Sequence, residues 1–174
     1  MTEIICAGFG GQGVLTTGLI LAHSAMMLGK EITWYPSYGS EMRGGTANCT
    51  IKINNGSIAS PVSKHPDIVC ALNAPAIDKF EASLKPNGYL FVNSSLVGER
   101  EYRDDIQVVQ VPMTEIAKEI GNPKGANLVM LGALAVRTGL FTIEELDEQV
   151  THYFAKKGKI NPKNSSCLAA GAQL

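Results

Sequence analysis

Apolar runs too short for a helix alternate along the chain with segments whose apolar positions recur every three to four residues. The first run, EIICAG (3–8), ends in glycine and reads as a buried strand. Residues 13–29 follow with Val14, Leu15, Leu19, Leu21, Ala22, Ala25 and Met26 on a helical spacing, closed by Gly29. EITWYP (31–36) predicts a second strand that stops at its proline. TANCTIKI (46–53) alternates and is rich in β-formers, and Asn55-Gly56 before IASPVS (58–63) predicts a hairpin. PDIVCALN (66–73), YLFVN (89–93) and IQVVQVP (106–112) predict further strands, with a turn at KPNG (85–88). Helices are expected over 75–84, opened by Pro75, and over 113–120, closed by Gly121. The stretch 125–139 is apolar on most faces and reads as a buried helix. Residues 141–157 carry a capping box at Thr142 and Glu145. A short helix is expected after Asn161-Pro162.

This alternation predicts an α/β fold: a three-layer sandwich with a mainly parallel, Rossmann-like sheet plus an antiparallel β-hairpin at its edge. There is no repeat, low-complexity tract or linker, and residues 1–174 read as a single domain. The irregular insertion is the loop and hairpin at 37–63. In such sheets sites gather at the carboxyl ends of the strands. Two glycine-rich loops, 8–13 and 39–45, follow strands there, and the turn Asn73-Ala74-Pro75 is expected on the same rim.

Composition narrows the function classes. With 174 residues, 45% hydrophobic and 18% charged, the chain can build an ordinary core. A net charge of -1 argues against a nucleic-acid partner. No apolar run reaches the roughly 20 residues of a membrane span. Val14–Leu28 is apolar, but a glycine loop stands where a signal peptide needs a basic segment. The expected location is the cytoplasm. Cys6, Cys49, Cys70 and Cys167 form no C-x-x-C pair, and His23, His65 and His152 lie far apart, so no metal site is expected.

The candidate chemistry lies in the two loops. Gly8, Gly10 and Gly13 match G-x-G-x-x-G between a strand and a helix, with Gly11, Gln12 and Val14 completing GFGGQGV. A helix beginning near Gly13 points free N–H groups and its positive dipole end at this space, which suits an anion. A dinucleotide site also needs Asp or Glu at the end of the second strand. That end is Tyr35-Pro36 here, and Glu31 stands at the wrong end. The second loop contains Tyr38, Gly39, Ser40, Glu41, Met42, Arg43, Gly44 and Gly45. Arg43 offers a planar fork for a carboxylate or phosphate, and Glu41 can pair with or orient it. Tyr35, Tyr38 and Met42 suit a buried contact. No G-x-S-x-G, H-E-x-x-H or Walker A pattern is present. Three readings stay open on the residues alone: glycines that only pack, a stand-alone nucleotide-binding oxidoreductase, or a binding subunit whose chemistry sits on partners.

The order GFGGQGV, YGSEMRGG, TANCTIKI, DIVCALN, PNGYLFVNSS and GANLVMLGALA resembles the gamma subunit of 2-oxoacid:ferredoxin oxidoreductases over nearly the whole chain. That family comprises pyruvate, 2-oxoglutarate and 2-oxoisovalerate enzymes, and includes the small subunit of indolepyruvate oxidoreductase. The resemblance implies a complex that converts a 2-oxoacid and coenzyme A to acyl-CoA and carbon dioxide, with ferredoxin as electron acceptor. It implies thiamine diphosphate, magnesium and iron–sulfur clusters on other subunits, with none bound by this chain. The implied partners are thiamine-binding alpha and beta subunits and a ferredoxin-like delta subunit. This chain would hold no catalytic residue of its own. Its implied ligand or interface loops are Gly8, Gly10, Gly11, Gln12, Gly13 and Val14, and Tyr38, Gly39, Ser40, Glu41, Met42, Arg43, Gly44 and Gly45, with Asn73 beside them. Ser40 departs from the proline often found there in the family.

Overall fold

The computed structural model describes residues 1–38 and 46–174, the side chain of Tyr38 excepted. The strands are β1 (Thr2–Phe9), β2 (Glu31–Tyr38), β3 (Thr46–Asn54), β4 (Ile68–Ala71), β5 (Tyr89–Asn93) and β6 (Gln107–Val111). Among the described residues the helices are α1 (Val14–Met27), α2 (Ala74–Phe80), α3 (Met113–Glu119), α4 (Ala126–Thr138), α5 (Ile143–Lys156) and α6 (Lys163–Gly171). The strands form one sheet in the order β2-β3-β1-β4-β5-β6. Pairing is parallel from β1 through β4 and β5 to β6, while β3 runs antiparallel to both β1 and β2. Two antiparallel steps leave β2 running the same way as β1, so β3 alone opposes the rest.

Strict alternation along the strands divides the core into two faces. Ile4, Cys6, Cys49, Ile51, Ile53, Ile68, Cys70, Phe91 and Val111 pack under α1, α4, α5 and α6. Ile5, Ala7, Val69, Ala71, Leu90 and Val92 face α2 through Ile77, with Leu84 and Val97. The result is the expected three layers. Residues Leu128 to Ala135 of α4 are all buried, in keeping with its apolar circumference. It meets α6 at two glycines. A Cβ on Gly132 would stand 2.0 Å from the Leu168 carbonyl oxygen, and one on Gly171 1.9 Å from that of Val129. The two backbones touch, and no other residue fits at either position. The capping box of α5 forms as expected, with Glu145 N donating to Thr142 Oγ1 at 3.1 Å and Thr142 N to Glu145 Oε2 at 2.9 Å.

Three expectations are corrected. The hairpin between 46–53 and 58–63 does not form, because β3 is already paired along both edges and no ladder is free for a third partner. The antiparallel strand therefore lies inside the sheet and not at its edge. Asn55-Gly56 instead turns the chain away, with Asn54 Nδ2 donating to the Gly56 carbonyl at 3.0 Å. Residues 58–63 hold no strand, and Ser63 Oγ donates to Glu3 Oε2 beside the buried Glu3–Lys52 ion pair at 3.1 Å. β2 runs past Pro36 to Tyr38, since an edge strand has one side with no ladder to complete. The helix expected over 75–84 ends at Phe80 and tightens into a 3₁₀ turn, Glu81–Ser83. Arg103 fastens that turn by donating to the carbonyls of Glu81 and Leu84 at 2.9 and 2.8 Å. Among the described residues no helix is long and apolar enough to cross a membrane.

Candidate functional site

The glycine loop leaves the carboxyl end of β1 and enters α1 directly. Gly11 and Gly13 have φ of 95° and 82°, the left-handed region that side chains avoid. Gly11 has open space around it, so only its conformation demands glycine. Gly13 is doubly constrained, since a Cβ there would stand 3.0 Å from the Asn127 side-chain amide. Gly8 is needed for room: a Cβ would meet Gln12 Oε1 at 2.6 Å, Leu72 Cβ at 3.0 Å and Val14 Cγ2 at 3.1 Å. Val14 is buried and anchors the start of α1 in the core. Gly10 and Gly11 are exposed.

Gln12 clasps this loop to the neighbouring strand end. Its Oε1 accepts from Phe9 N at 2.7 Å and from Asn73 Nδ2 at 3.2 Å. Its Nε2 donates to the Leu72 carbonyl at 3.3 Å. Asn73 Oδ1 accepts from Ala76 N at 2.9 Å and so caps α2. Asn93, at the end of β5, continues the chain by donating from Nδ2 to the Leu72 carbonyl at 3.4 Å and to Thr114 Oγ1 at 3.1 Å. Its Oδ1 is buried and has no partner among the described residues. The rim above β1, β4 and β5 is thus a continuous run of amides. The ion pairs among the described residues lie elsewhere: Glu3–Lys52, Asp67–Lys85, Asp78–Arg100 and Asp105–Arg103. Nothing in this rim among the described residues can exchange a proton near neutral pH.

The first loop and Asn73 therefore meet on one rim. Gly39, Ser40, Glu41, Met42, Arg43, Gly44 and Gly45 lie outside the described residues, as does the Tyr38 side chain. The backbone flanking them, Tyr38 and Thr46, stands at the same end of the sheet, where Phe9 is level with Thr46. Asn93, Thr114 and Asn127 join the rim without having been singled out in the sequence. For Asn93 a signal existed: YLFVN ends a buried parallel strand in Asn just as CALN does. Thr114 and Asn127 gave none, because they arrive from helices.

The topology bears on the dinucleotide reading. β3 stands between β1 and β2, which removes the end of β2 from the glycine loop by two strand spacings, about 10 Å. Glu31 begins β2 at the opposite end of the sheet. Cys6, Cys49 and Cys70 sit level on three adjacent strands, all buried. The adjoining Cys6 thiol and burial push the Cys49 thiol far up, so it stays protonated. Burial likewise raises Cys167. Among the described residues no three His, Cys, Asp or Glu side chains are placed to share a metal ion.

A family model described as pyruvate ferredoxin/flavodoxin oxidoreductase matches residues 3–174. The chain is 38% identical over 168 residues to ketoisovalerate oxidoreductase subunit VorA of Methanothermobacter marburgensis, which covers 95% of this chain and 35% of VorA. It therefore spans about a third of the length of that relative. It is 33% identical over 172 residues to the pyruvate/ketoisovalerate oxidoreductases common subunit gamma of Pyrococcus furiosus, covering 95% of this chain and 92% of that one. A crystal structure of the gamma subunit of a keto/oxoacid ferredoxin oxidoreductase from Geobacter sulfurreducens PCA matches with a TM-score of 0.81 at 30% identity, covering 99% of this chain and 97% of the other.

Proposed function

From a chain that belongs to the pyruvate ferredoxin/flavodoxin oxidoreductase family, we propose a gamma subunit of a cytoplasmic 2-oxoacid:ferredoxin oxidoreductase. The complete reaction takes a 2-oxocarboxylate, coenzyme A and two oxidised ferredoxins to acyl-CoA, carbon dioxide, two reduced ferredoxins and a proton. Thiamine diphosphate, held with magnesium by alpha and beta subunits, supplies the carbanion chemistry of the decarboxylation. A ferredoxin-like delta subunit carries clusters that pass the electrons on.

The described residues of this chain do not fit an iron–sulfur cluster. Three of its cysteines are locked side by side in the core, with Cys49 Sγ 2.4 Å from where a Cβ on Gly18 would stand. No space remains there for inorganic sulfur and iron, and no step is assigned to a cluster here. The role proposed for the chain is one wall of coenzyme A access and of the subunit interface. The observation that carries it is the amide rim: a glycine loop clasped by Gln12 to Leu72 and Asn73, with its tip at Gly10 and Gly11 exposed and no acid or base among the amides that hold it. Such a surface binds and orients, leaving bond making to a neighbour. Arg43 and Glu41 of the second loop are proposed to complete the wall, Arg43 as a fork for an anionic group.

Co-expression with thiamine-binding and ferredoxin-like subunits tests the proposal. The expected result is co-purification and a ferredoxin reduction that needs both a 2-oxoacid and coenzyme A. Failure to co-purify, together with tight binding of a nicotinamide or flavin dinucleotide by the chain alone, would refute it.

A further inference from the structure

We propose that the turn between α5 and α6 is a docking surface for an acidic protein partner, with Ile160 as its apolar anchor. Gln149 to Leu174 hold four lysines and no Asp or Glu, in a chain whose net charge is -1. The four, Lys156, Lys157, Lys159 and Lys163, fall within eight residues and are all exposed. None pairs with a carboxylate among the described residues. Local stability explains only part of this cluster. Lys156 and Lys157 suit the negative end of α5. Lys163 instead opens α6, at the positive end, where a cation is unfavourable and no acidic residue in the first turn offsets it. Between them Ile160 is 77% exposed, more than any other large hydrophobic side chain among the described residues.

The turn is pinned at both ends. Lys157 N and Lys159 N donate to the Phe154 carbonyl at 3.1 and 2.9 Å, and Gly158 closes α5 with a φ of 64°. Asn161 accepts from Asn164 N at its carbonyl and from Lys163 N at Oδ1, both at 3.0 Å. Lys157 lies over the Tyr153 ring, 4.1 Å from its centre, and Lys163 Nζ reaches the Gly121 carbonyl at 3.3 Å. Charge and anchor are thus presented with little ordering left to do on binding. The chemistry selects the partner. Held cations around one apolar side chain match carboxylates around an apolar pocket. Nucleic acid fits less well, since the turn has no arginine and Lys157 already covers the Tyr153 face. A membrane gains too little from burying a single apolar side chain.

The surface lies apart from the glycine loop, and its test needs no partner subunit. The full chain is titrated with the peptide Glu-Glu-Glu-Leu-Leu-Glu-Glu-Glu, with the same peptide carrying Ser for Leu, with a short DNA duplex and with phosphatidylserine vesicles, while amide resonances are followed by NMR. The expected result is saturable shifts confined to Lys156–Lys163, tightest for the leucine peptide and weaker as salt rises. Lys156→Gln with Lys159→Gln is expected to weaken that peptide about fivefold, and Ile160→Ser to remove its advantage over the serine peptide. These side chains are exposed, and unchanged resonances elsewhere verify the fold. Absent or scattered shifts overturn the site. Tighter binding of DNA or vesicles at the same residues overturns the choice of partner. Equal binding of the two peptides overturns the anchor, and an unchanged affinity in the folded double variant overturns the part given to charge. A chain that co-purifies with its partners yet shows no such shifts defeats this inference alone and leaves the subunit reading standing.

Discussion

Replacing Gln12 by Ala removes the clasp that ties the glycine loop to β4. Three hydrogen bonds go: from Phe9 N at 2.7 Å, from Asn73 Nδ2 at 3.2 Å, and to the Leu72 carbonyl at 3.3 Å. Their former partners are not all stranded. The Leu72 carbonyl keeps Asn93 Nδ2 at 3.4 Å, and Asn73 keeps its cap on α2. Phe9 is 37% exposed, so its N–H can turn to water. With one short and two long neutral bonds lost, the cost is about 1–2 kcal/mol. For a chain of this size that lowers Tm by about 2–8 °C. Urea unfolding and amide exchange at Phe9 measure both the cost and its location. A double mutant adds a sharper test. Gly8→Ala drives its new methyl into Gln12 Oε1, 2.6 Å away, so Gln12→Ala should relieve part of the Gly8→Ala cost. The two changes should be coupled by about 0.5–1 kcal/mol or more. An unchanged urea midpoint in Gln12→Ala, with Phe9 exchange as slow as before and strict additivity in the double mutant, would refute the clasp.

Gly132→Ala and Gly171→Ala each push a methyl to about 2 Å from a backbone carbonyl oxygen of the other helix, which cannot rotate away. Each should cost about 3 kcal/mol or more in urea unfolding, whereas Gly29→Ala, strained only by its φ of 71°, should cost about 1 kcal/mol. Lys52→Met leaves the carboxylate of Glu3 buried without its partner, at a cost of about 3 kcal/mol, much of which Glu3→Leu in the same chain should recover. The buried thiols should resist a disulfide reagent until the chain unfolds. Because folding raises the Cys49 and Cys167 thiols above their unfolded values, their contribution to stability is complete below about pH 8.5 and falls as pH rises beyond it. Stability held constant through that alkaline range would count against the burial argument.

Local pattern carried much of this fold because strand and helix periods are written in consecutive residues. EIICAG, YLFVN and IQVVQVP became strands, and 125–139 became a helix buried on nearly every side. Thr142 and Glu145 stated their capping box outright, since both halves lie within one turn. The glycine loop was equally legible: the left-handed φ of Gly11 and Gly13 is a property of the backbone that glycine alone grants at no cost. Family membership, too, rests on the order of such short motifs.

Pairing between distant segments was decided only by the tertiary structure. TANCTIKI announces a strand, but nothing in its residues says that it slots between β1 and β2, or that doing so denies 58–63 a partner. A strand has two edges, and which neighbours fill them depends on the whole sheet. The same holds at the rim. Gln12, Asn73, Asn93 and Asn127 are scattered over more than a hundred residues, and an isolated amide carries no sign of its eventual partner. Parallel strands bring three of them to one edge, and the crossing of α4 brings the fourth against Gly13. The sequence by itself determined most of the elements and the glycine turn between β1 and α1, because those depend on a residue and its near neighbours, whereas the glycines at 132 and 171 are compulsory only because α4 and α6 meet there. The sheet order and the amide rim depend on contacts across the chain, and only the packed fold could choose them.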